Sequence, residues 1–196
     1  LESVNSLLNS LKDKSRISIL TFTENQYNRF KVKLGKKVVN ISLLDFTSDY
    51  NELTKFVERA YSTSSLTQRT YLIDEILVGL QQLEKIPKNL LRVLVIFSDG
   101  KDLGSISSKE QLLAKAAAAG ITIYGIDFSG NPRLNPLMYK VPASTPQGKT
   151  FRAKKATELK PIFDKLTREI ITEFQVTYHF PIPPTGDVAF NGDTLT

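Results

Sequence analysis

The amino-acid sequence predicts an α/β fold: a doubly wound, mostly parallel central sheet with helices on both faces. Segments with helical periodicity alternate along the chain with short, largely apolar strands. In residues 90–97 nearly every side chain is apolar, which is typical of a strand buried on both faces. The chain has 196 residues, 41% of them apolar, which is long enough for one domain with a sizeable core.

The sequence of the first half of the chain predicts amphipathic helices together with apolar or β-branched strands. Its elements, in order, are a helix over 1–13, a strand over 16–22, a hairpin or edge strand of 30–34 and 38–44, a helix that opens at Ser48, a Ser/Thr-rich loop over 61–69 and a helix over 71–83. The helical segments are amphipathic, so each is expected to pack one face on the sheet.

The second half continues the alternation. Its elements are a strand over 90–97, a helix over 108–119 that stops at Gly120, a strand over 121–128, a short proline-broken segment, an edge strand over 150–153 and a helix over 157–173. We therefore assign residues 1–174 to one domain. Residues 175–196, a terminal strand followed by prolines, are expected to lead into a further β-rich region.

Composition excludes several kinds of site. The chain has no cysteine and one histidine, His179, so disulfides, zinc–thiolate sites, cysteine nucleophiles and histidine metal clusters are all excluded.

No apolar stretch approaches the roughly 18 residues of a membrane-spanning helix. The net charge of +6 favours acidic partners through long-range steering. Because the first residue is leucine, we expect this chain to be a piece of a longer polypeptide.

The sharpest candidate site is the loop Ser98-Asp-Gly-Lys-Asp102, directly after the most apolar strand. Ligands of open α/β sheets bind outside the carboxyl ends of the strands, so this loop lies where a site is expected. Its carboxylates, Asp99 and Asp102, are hard oxygen ligands that suit Mg²⁺. The alternative is a simple turn in which Asp99 caps the next helix.

The order of motifs resembles the von Willebrand factor type A domain. The matching segments, over roughly residues 1–173, are Arg16-Ile-Ser-Ile-Leu-Thr-Phe, Thr70-Tyr-Leu-Ile-Asp-Glu-Ile-Leu, Val93-Leu-Val-Ile-Phe-Ser-Asp-Gly, Ile121-Thr-Ile-Tyr-Gly-Ile-Asp and Thr150-Phe-Arg-Ala. The ending Phe151-Arg-Ala-Lys-Lys-Ala-Thr-Glu-Leu is similar to bacterial members of the family. The resemblance implies a three-layer sandwich with a protein-binding role.

The resemblance also implies a divalent-cation site built from three loops. Asp99 matches the aspartate of the third loop, with Ser98, Gly100 and Asp102 around it, and Thr70 matches the threonine of the second. The first motif, Asp-x-Ser-x-Ser, is absent, so we expect it and its strand to lie upstream. The cation implied is Mg²⁺, or Mn²⁺ or Ca²⁺, with an open position for the carboxylate of a partner protein.

Other functions compete with this prediction. The chain could be a metal-free scaffold module, or it could bind a polyanion or nucleic acid through a basic run, which consists of Arg29, Lys31, Lys33, Lys36 and Lys37. The segment Asp127-Phe-Ser-Gly-Asn131 is similar in sequence to the missing Asp-x-Ser-x-Ser motif, but it follows a later strand. We expect no enzyme, since no acid, base and nucleophile combine at a recognised spacing. From the resemblance we expect a location in the periplasm or at the cell surface.

Overall fold

The computed structural model describes residues 2–12, 14–21, 29–34, 37–62, 71–129 and 135–172. Within these ranges there are six α-helices and six strands. The helices are α1 (Glu2–Leu11), α2 (Tyr50–Ser62), α3 (Leu72–Glu84), α4 (Lys109–Ala118), α5 (Pro136–Ala143) and α6 (Leu159–Thr172). The strands are β1 (Ile17–Thr21), β2 (Arg29–Leu34), β3 (Lys37–Thr47), β4 (Val93–Ser98), β5 (Thr122–Asp127) and β6 (Lys149–Arg152).

The described strands form two three-stranded groups. The first has the order β1-β3-β2 and is antiparallel, and the second has the order β4-β5-β6 and is parallel. In the parallel group Ser98 pairs with Asp127 and Phe97 with Ile126, so the carboxyl ends of β4 and β5 lie at the same edge. The predicted α/β class is therefore confirmed, and the predicted site loop lies at that edge.

Helices cover both faces of the parallel strands. One apolar cluster joins α3, α4 and α5 to one face, where Ile96 of β4 and Ile123 of β5 are buried. A second cluster joins α1 and α6 to the other face, where Tyr124 and Ile126 are buried. Neighbouring strand residues thus point to opposite helical layers, which explains why the strand sequences are apolar at nearly every position. The predicted layering is confirmed.

The helix α4 shows how local sequence sets the element boundaries. Ser108 caps its amino end: the Ser108 hydroxyl accepts from the Gln111 amide at 3.2 Å, and the Gln111 side chain accepts from the Ser108 amide at 2.8 Å. At the other end, Gly120 adopts a φ of +60°, which ends the helix. The buried Arg92 guanidinium then donates to the carbonyl of Gly120 at 3.1 Å.

One predicted boundary and one predicted irregular segment were wrong. The strand expected from Leu90 begins at Val93, because the Leu90 amide bonds back to the Pro87 carbonyl at 3.1 Å in a turn. The proline-broken segment contains the helix α5, which tolerates Pro136 in its first turn, where the amide has no helical partner. Pro142 cannot donate to the Met138 carbonyl, which instead accepts from the Thr150 hydroxyl at 2.5 Å.

The remaining predicted elements are found close to their expected places, and the hairpin is confirmed by the antiparallel pairing of β2 with β3. Residues 61 and 62 of the predicted loop over 61–69 belong instead to the last turn of α2. The rest of that loop, and the terminal strand and linker over 175–196, lie outside the described residues. None of the described helices is long and apolar enough to cross a membrane.

Candidate functional site

The loop after β4 presents one exposed carboxylate on a fixed base. The Ser98 hydroxyl is buried and accepts from the Gly100 amide at 2.9 Å, and an Asp99 oxygen accepts from the Lys101 amide at 3.2 Å. The Asp99 side chain is 50% exposed, and its second oxygen lies 3.7 Å from the Lys101 ammonium. Asp99 is therefore free to exchange its lysine partner for another cation, while the backbone beneath it is held in a tight turn.

Gly100 is required by both its conformation and its surroundings. Its φ is +78°, a region that strains residues with a side chain. A Cβ atom there would also lie 1.5 Å from the Asn135 Cγ, so Asn135 packs directly on the glycine. Asn135 is itself fully buried at the start of α5 and donates to Asp127 at 3.2 Å. The Asp99 loop therefore rests on a polar cluster at the end of β5.

Asp127 is the centre of that cluster. It accepts from the Ser129 amide at 2.8 Å and from the Tyr139 hydroxyl at 2.9 Å, besides the Asn135 amide. Burial alone would raise the pKa of Asp127, but these hydrogen bonds outweigh it and hold the pKa below its ordinary value. Each carboxylate oxygen already has a partner, which favours a structural role for Asp127 and not a cation site.

Asp102 and Ser105 hold the amino end of α3 to the Asp99 loop. The Ile73 amide donates to Asp102 at 3.2 Å, and the Asp74 amide donates to the Ser105 hydroxyl at 3.2 Å. Ser105 in turn donates to Asp102 at 2.5 Å. The residue before α3, Tyr71, makes no side-chain cap, so Asp102 replaces it from a distant part of the sequence. Asp102 is thus a positioning residue, because its hydrogen bonds hold the Asp99 loop against the start of α3.

A second set of hydrogen bonds runs from the Asp99 loop to the Asp74 side chain of α3. That side chain is fully buried, and its two oxygens accept from the Ile106 amide at 2.8 Å and from the Ser107 amide at 3.0 Å. Loop and helix therefore clamp each other through reciprocal hydrogen bonds. The sequence pattern showed only an acidic residue in a first helical turn, which is commonly a response to the helix dipole. Nothing in the spacing indicated its partners, which lie more than 30 residues away.

The predicted cation site combines the Asp99 loop with the segment before α3, and these two parts of the chain are in contact. Gly104 in the Asp99 loop packs on Tyr71, since a Cβ at Gly104 would lie 2.8 Å from the Tyr71 ring. Thr70, the other predicted ligand, lies outside the described residues, although the residue after it touches the loop. In the part of the chain that the structure describes, no group of three or more histidine, cysteine, aspartate or glutamate residues is placed to hold a metal.

Four residues of the basic run lie on two neighbouring strands. Arg29, Lys31 and Lys33 occupy alternate positions in β2, and Lys37 opens β3. Lys36 and all five side chains lie outside what the structure describes. The antiparallel pairing of β2 with β3 therefore confirms the hairpin, with β2 outermost among the described strands of its group. Polyanion binding remains a prediction.

Comparison with known proteins identifies the family. The von Willebrand factor type A domain profile matches residues 1–165. Two crystal structures of the pilus adhesin SpaC from Lactobacillus rhamnosus GG share the fold: one, in an open conformation, has a TM-score of 0.63 at 11% identity over 88% of this chain. The second has a TM-score of 0.63 at 10% identity over 88% of this chain. This chain spans 28% and 27% of those chains, respectively. No curated protein sequence matches it. The chain belongs to the von Willebrand factor type A domain family.

Proposed function

We propose that this chain is a protein-interaction domain of the adhesion type, which binds its partner at the carboxyl ends of β4 and β5 through a divalent cation held by Asp99. The observation that carries the proposal is the half-exposed Asp99 carboxylate on a loop that is fixed from two sides. A preorganised loop keeps a ligand oxygen in place without an entropic cost at the moment of binding. Membership of the family supports a protein-interaction role.

The described residues fit part of a Mg²⁺ site. Mg²⁺ demands near-octahedral oxygen coordination and usually retains several waters. Asp99 supplies one carboxylate, and Lys101, whose side chain is 71% exposed, can turn away when a cation takes its place. Thr70 would contribute a hydroxyl from the segment that leads into α3. The family resemblance assigns further ligands to the Asp-x-Ser-x-Ser loop, which the printed sequence does not contain.

The surface around Asp99 favours a protein partner. Leu103 and Ile106 belong to the same loop and are 60% and 42% exposed, and Phe128, directly after β5, is 38% exposed. Exposed apolar side chains beside a polar site are typical of protein interaction surfaces. A bound cation would take the carboxylate of the partner, and these side chains would contact apolar atoms next to it.

We also propose a location at the cell surface or in the periplasm, which the pilus adhesins of the same fold support. Two other functions compete with cation-dependent adhesion. In a metal-free scaffold, Asp99 would only stabilise its turn. In a polyanion-binding domain, the basic run from Arg29 to Lys37 would make the contact.

A Mn²⁺ titration separates these functions. Mn²⁺ prefers the same oxygen ligands as Mg²⁺ and is followed by its electron paramagnetic resonance signal, which falls when the ion binds. The proposal predicts saturable binding that Asp99→Ala abolishes. The matched control is Asp164→Ala, since Asp164 is 43% exposed and pairs with Lys160 at 3.4 Å, much as Asp99 pairs with Lys101. Equal binding by both variants contradicts the proposal, and so does the absence of binding in a chain extended upstream to include the Asp-x-Ser-x-Ser loop.

A further inference from the structure

The strand β6 is an open edge of the parallel group. Among the described strands it pairs with β5 alone, and it lies outermost in the order β4-β5-β6. The Ala153 amide donates to the Asp127 carbonyl of β5 at 3.0 Å. Because neighbouring strand residues direct their backbone groups to opposite edges, the amides and carbonyls of Thr150 and Arg152 face away from β5. No backbone group in the described part of the chain pairs with them.

Basic side chains surround this edge. From Lys149 to Glu169 the chain has seven lysine or arginine residues against three aspartate or glutamate residues, an excess of four positive charges in a chain of net charge +6. The basic residues nearest to β6, all of them exposed, are Lys149, Arg152, Lys154, Lys155 and Lys165. Much of the positive charge of the chain is therefore concentrated beside one short strand, where it attracts acidic partners.

Two of these ammonium groups flank one aromatic ring of the edge. The Lys149 Nζ lies 5.9 Å and the Lys165 Nζ 5.6 Å from the centre of the Phe151 ring. Glu169 pairs with Lys149 at 2.5 Å, whereas no acidic side chain among the described residues pairs with Lys165. Phe151 is half-buried, so part of its surface is open to a neighbour. The edge thus presents an apolar patch between two cations.

We propose that the β6 edge binds an extended acidic segment of a partner protein as an additional strand. The edge offers backbone donors and acceptors together, and only a polypeptide pairs with both, so an anionic polymer without amides fits it less well. In such a strand, carboxylates face Lys149 and Arg152, and an apolar residue lies opposite Phe151. Basic residues at an edge hinder pairing with unsuitable strands, and the same charges admit an acidic one. This surface needs no cation and is independent of Asp99.

Fluorescence anisotropy of a labelled peptide with the 196-residue chain tests the proposal. EDTA is present, so the result does not depend on the cation site. The probe is an acetylated and amidated eight-residue peptide with glutamate at positions three and six and valine or threonine elsewhere. We expect saturable binding that weakens about tenfold when lysine replaces both glutamates, because two attractive cross-strand pairs become repulsive.

A third peptide separates strand addition from simple charge attraction. It keeps both glutamates and carries N-methyl groups on its four central amides, which prevents backbone pairing. We expect it to bind about tenfold more weakly than the probe, through the loss of backbone hydrogen bonds. Equal binding of the two would show a general anion-binding surface and overturn strand addition. Absence of saturable binding of the probe at millimolar concentration would also overturn it.

Charge-reversal variants locate the bound peptide. Lys149→Glu and Arg152→Glu should each weaken binding about three- to tenfold. The matched control is Lys55→Glu, which changes the net charge equally at an exposed position of α2, a helix that packs on the antiparallel group. Circular dichroism shows whether each variant is folded. Hydrogen exchange should slow at the Thr150 and Arg152 amides and not in β2. Equal weakening by the control, or protection only outside β6, overturns the assigned edge.

Discussion

Replacement of Asp74 by alanine tests whether the Asp99 loop is held from α3. The variant loses two acceptors, for the Ile106 amide at 2.8 Å and the Ser107 amide at 3.0 Å. A hydrogen bond to a charged group contributes about 1.5–3 kcal/mol. Because Ile106 is 42% exposed, water can reach its amide once the loop moves, so the lower part of the summed range applies. We expect a loss of about 3–4 kcal/mol.

Urea unfolding measures this loss. With a slope of about 2 kcal/mol per molar urea, the midpoint of Asp74→Ala should fall by about 1.5–2 M. Asp74→Asn keeps one acceptor and should fall about half as far. Native-state hydrogen exchange adds a local readout, since the Ile106 and Ser107 amides should lose protection first. A midpoint within about 0.3 M of the unchanged chain, with both amides still protected, would refute the clamp.

Three further predictions follow from particular contacts. Gly100→Ala should lower the free energy of unfolding in urea by about 3 kcal/mol or more, because the added Cβ would overlap Asn135. The matched control is Gly120→Ala, at a φ of +60° with the nearest atom 3.5 Å from the added Cβ, and it should lose only about 1 kcal/mol. Equal losses in the two variants would contradict this prediction. Burial raises the pKa of Glu75 in the folded chain to about 9, against an ordinary 4.5, so its contribution to stability is complete below pH 4.5 and is lost as the pH rises to about 9. Glu75→Gln should therefore remove a slope of up to about 1.4 kcal/mol per pH unit from the plot of unfolding free energy against pH. Parallel plots for the variant and the unchanged chain would disprove the assigned pKa. Tyr139→Phe should cost about 1–2 kcal/mol at pH 7, and less as the pH falls through the lowered pKa of Asp127, because protonation removes the charge that the hydroxyl stabilises; a loss that is independent of pH would count against that hydrogen bond.

The fold was predictable because its elements carry local signals. The apolar run that became β4, the capping box at Ser108 and the glycine at 120 each act within a few residues of the boundary they set. The helix α5 was missed because Pro142 normally breaks a helix, and the residue that accommodates it, Thr150, lies on the strand β6. Local rules fail where a tertiary hydrogen bond replaces a helical one.

The candidate site was predictable only in its exposed part. Asp99 follows a buried strand, so its position could be read from the strand pattern. The residues that hold its loop could not, because Asp74 and Asn135 act across 33 and 35 residues of chain respectively on Ser107 and Gly100. Asp102, expected in the loop around the cation, accepts from the Ile73 amide at the start of α3, a contact that its position in the sequence did not indicate.

The central claim is that a divalent cation binds at Asp99, and paramagnetic broadening by Mn²⁺ locates the ion directly. In a nitrogen-15 correlation spectrum of the whole chain, substoichiometric Mn²⁺ should broaden the amides of residues 98–107 and of the start of α3, which the clamp holds beside them. Asp99→Ala should abolish the broadening, and Asp164→Ala should leave it unchanged. Broadening centred elsewhere, or persistence of the same pattern in Asp99→Ala, would contradict the account.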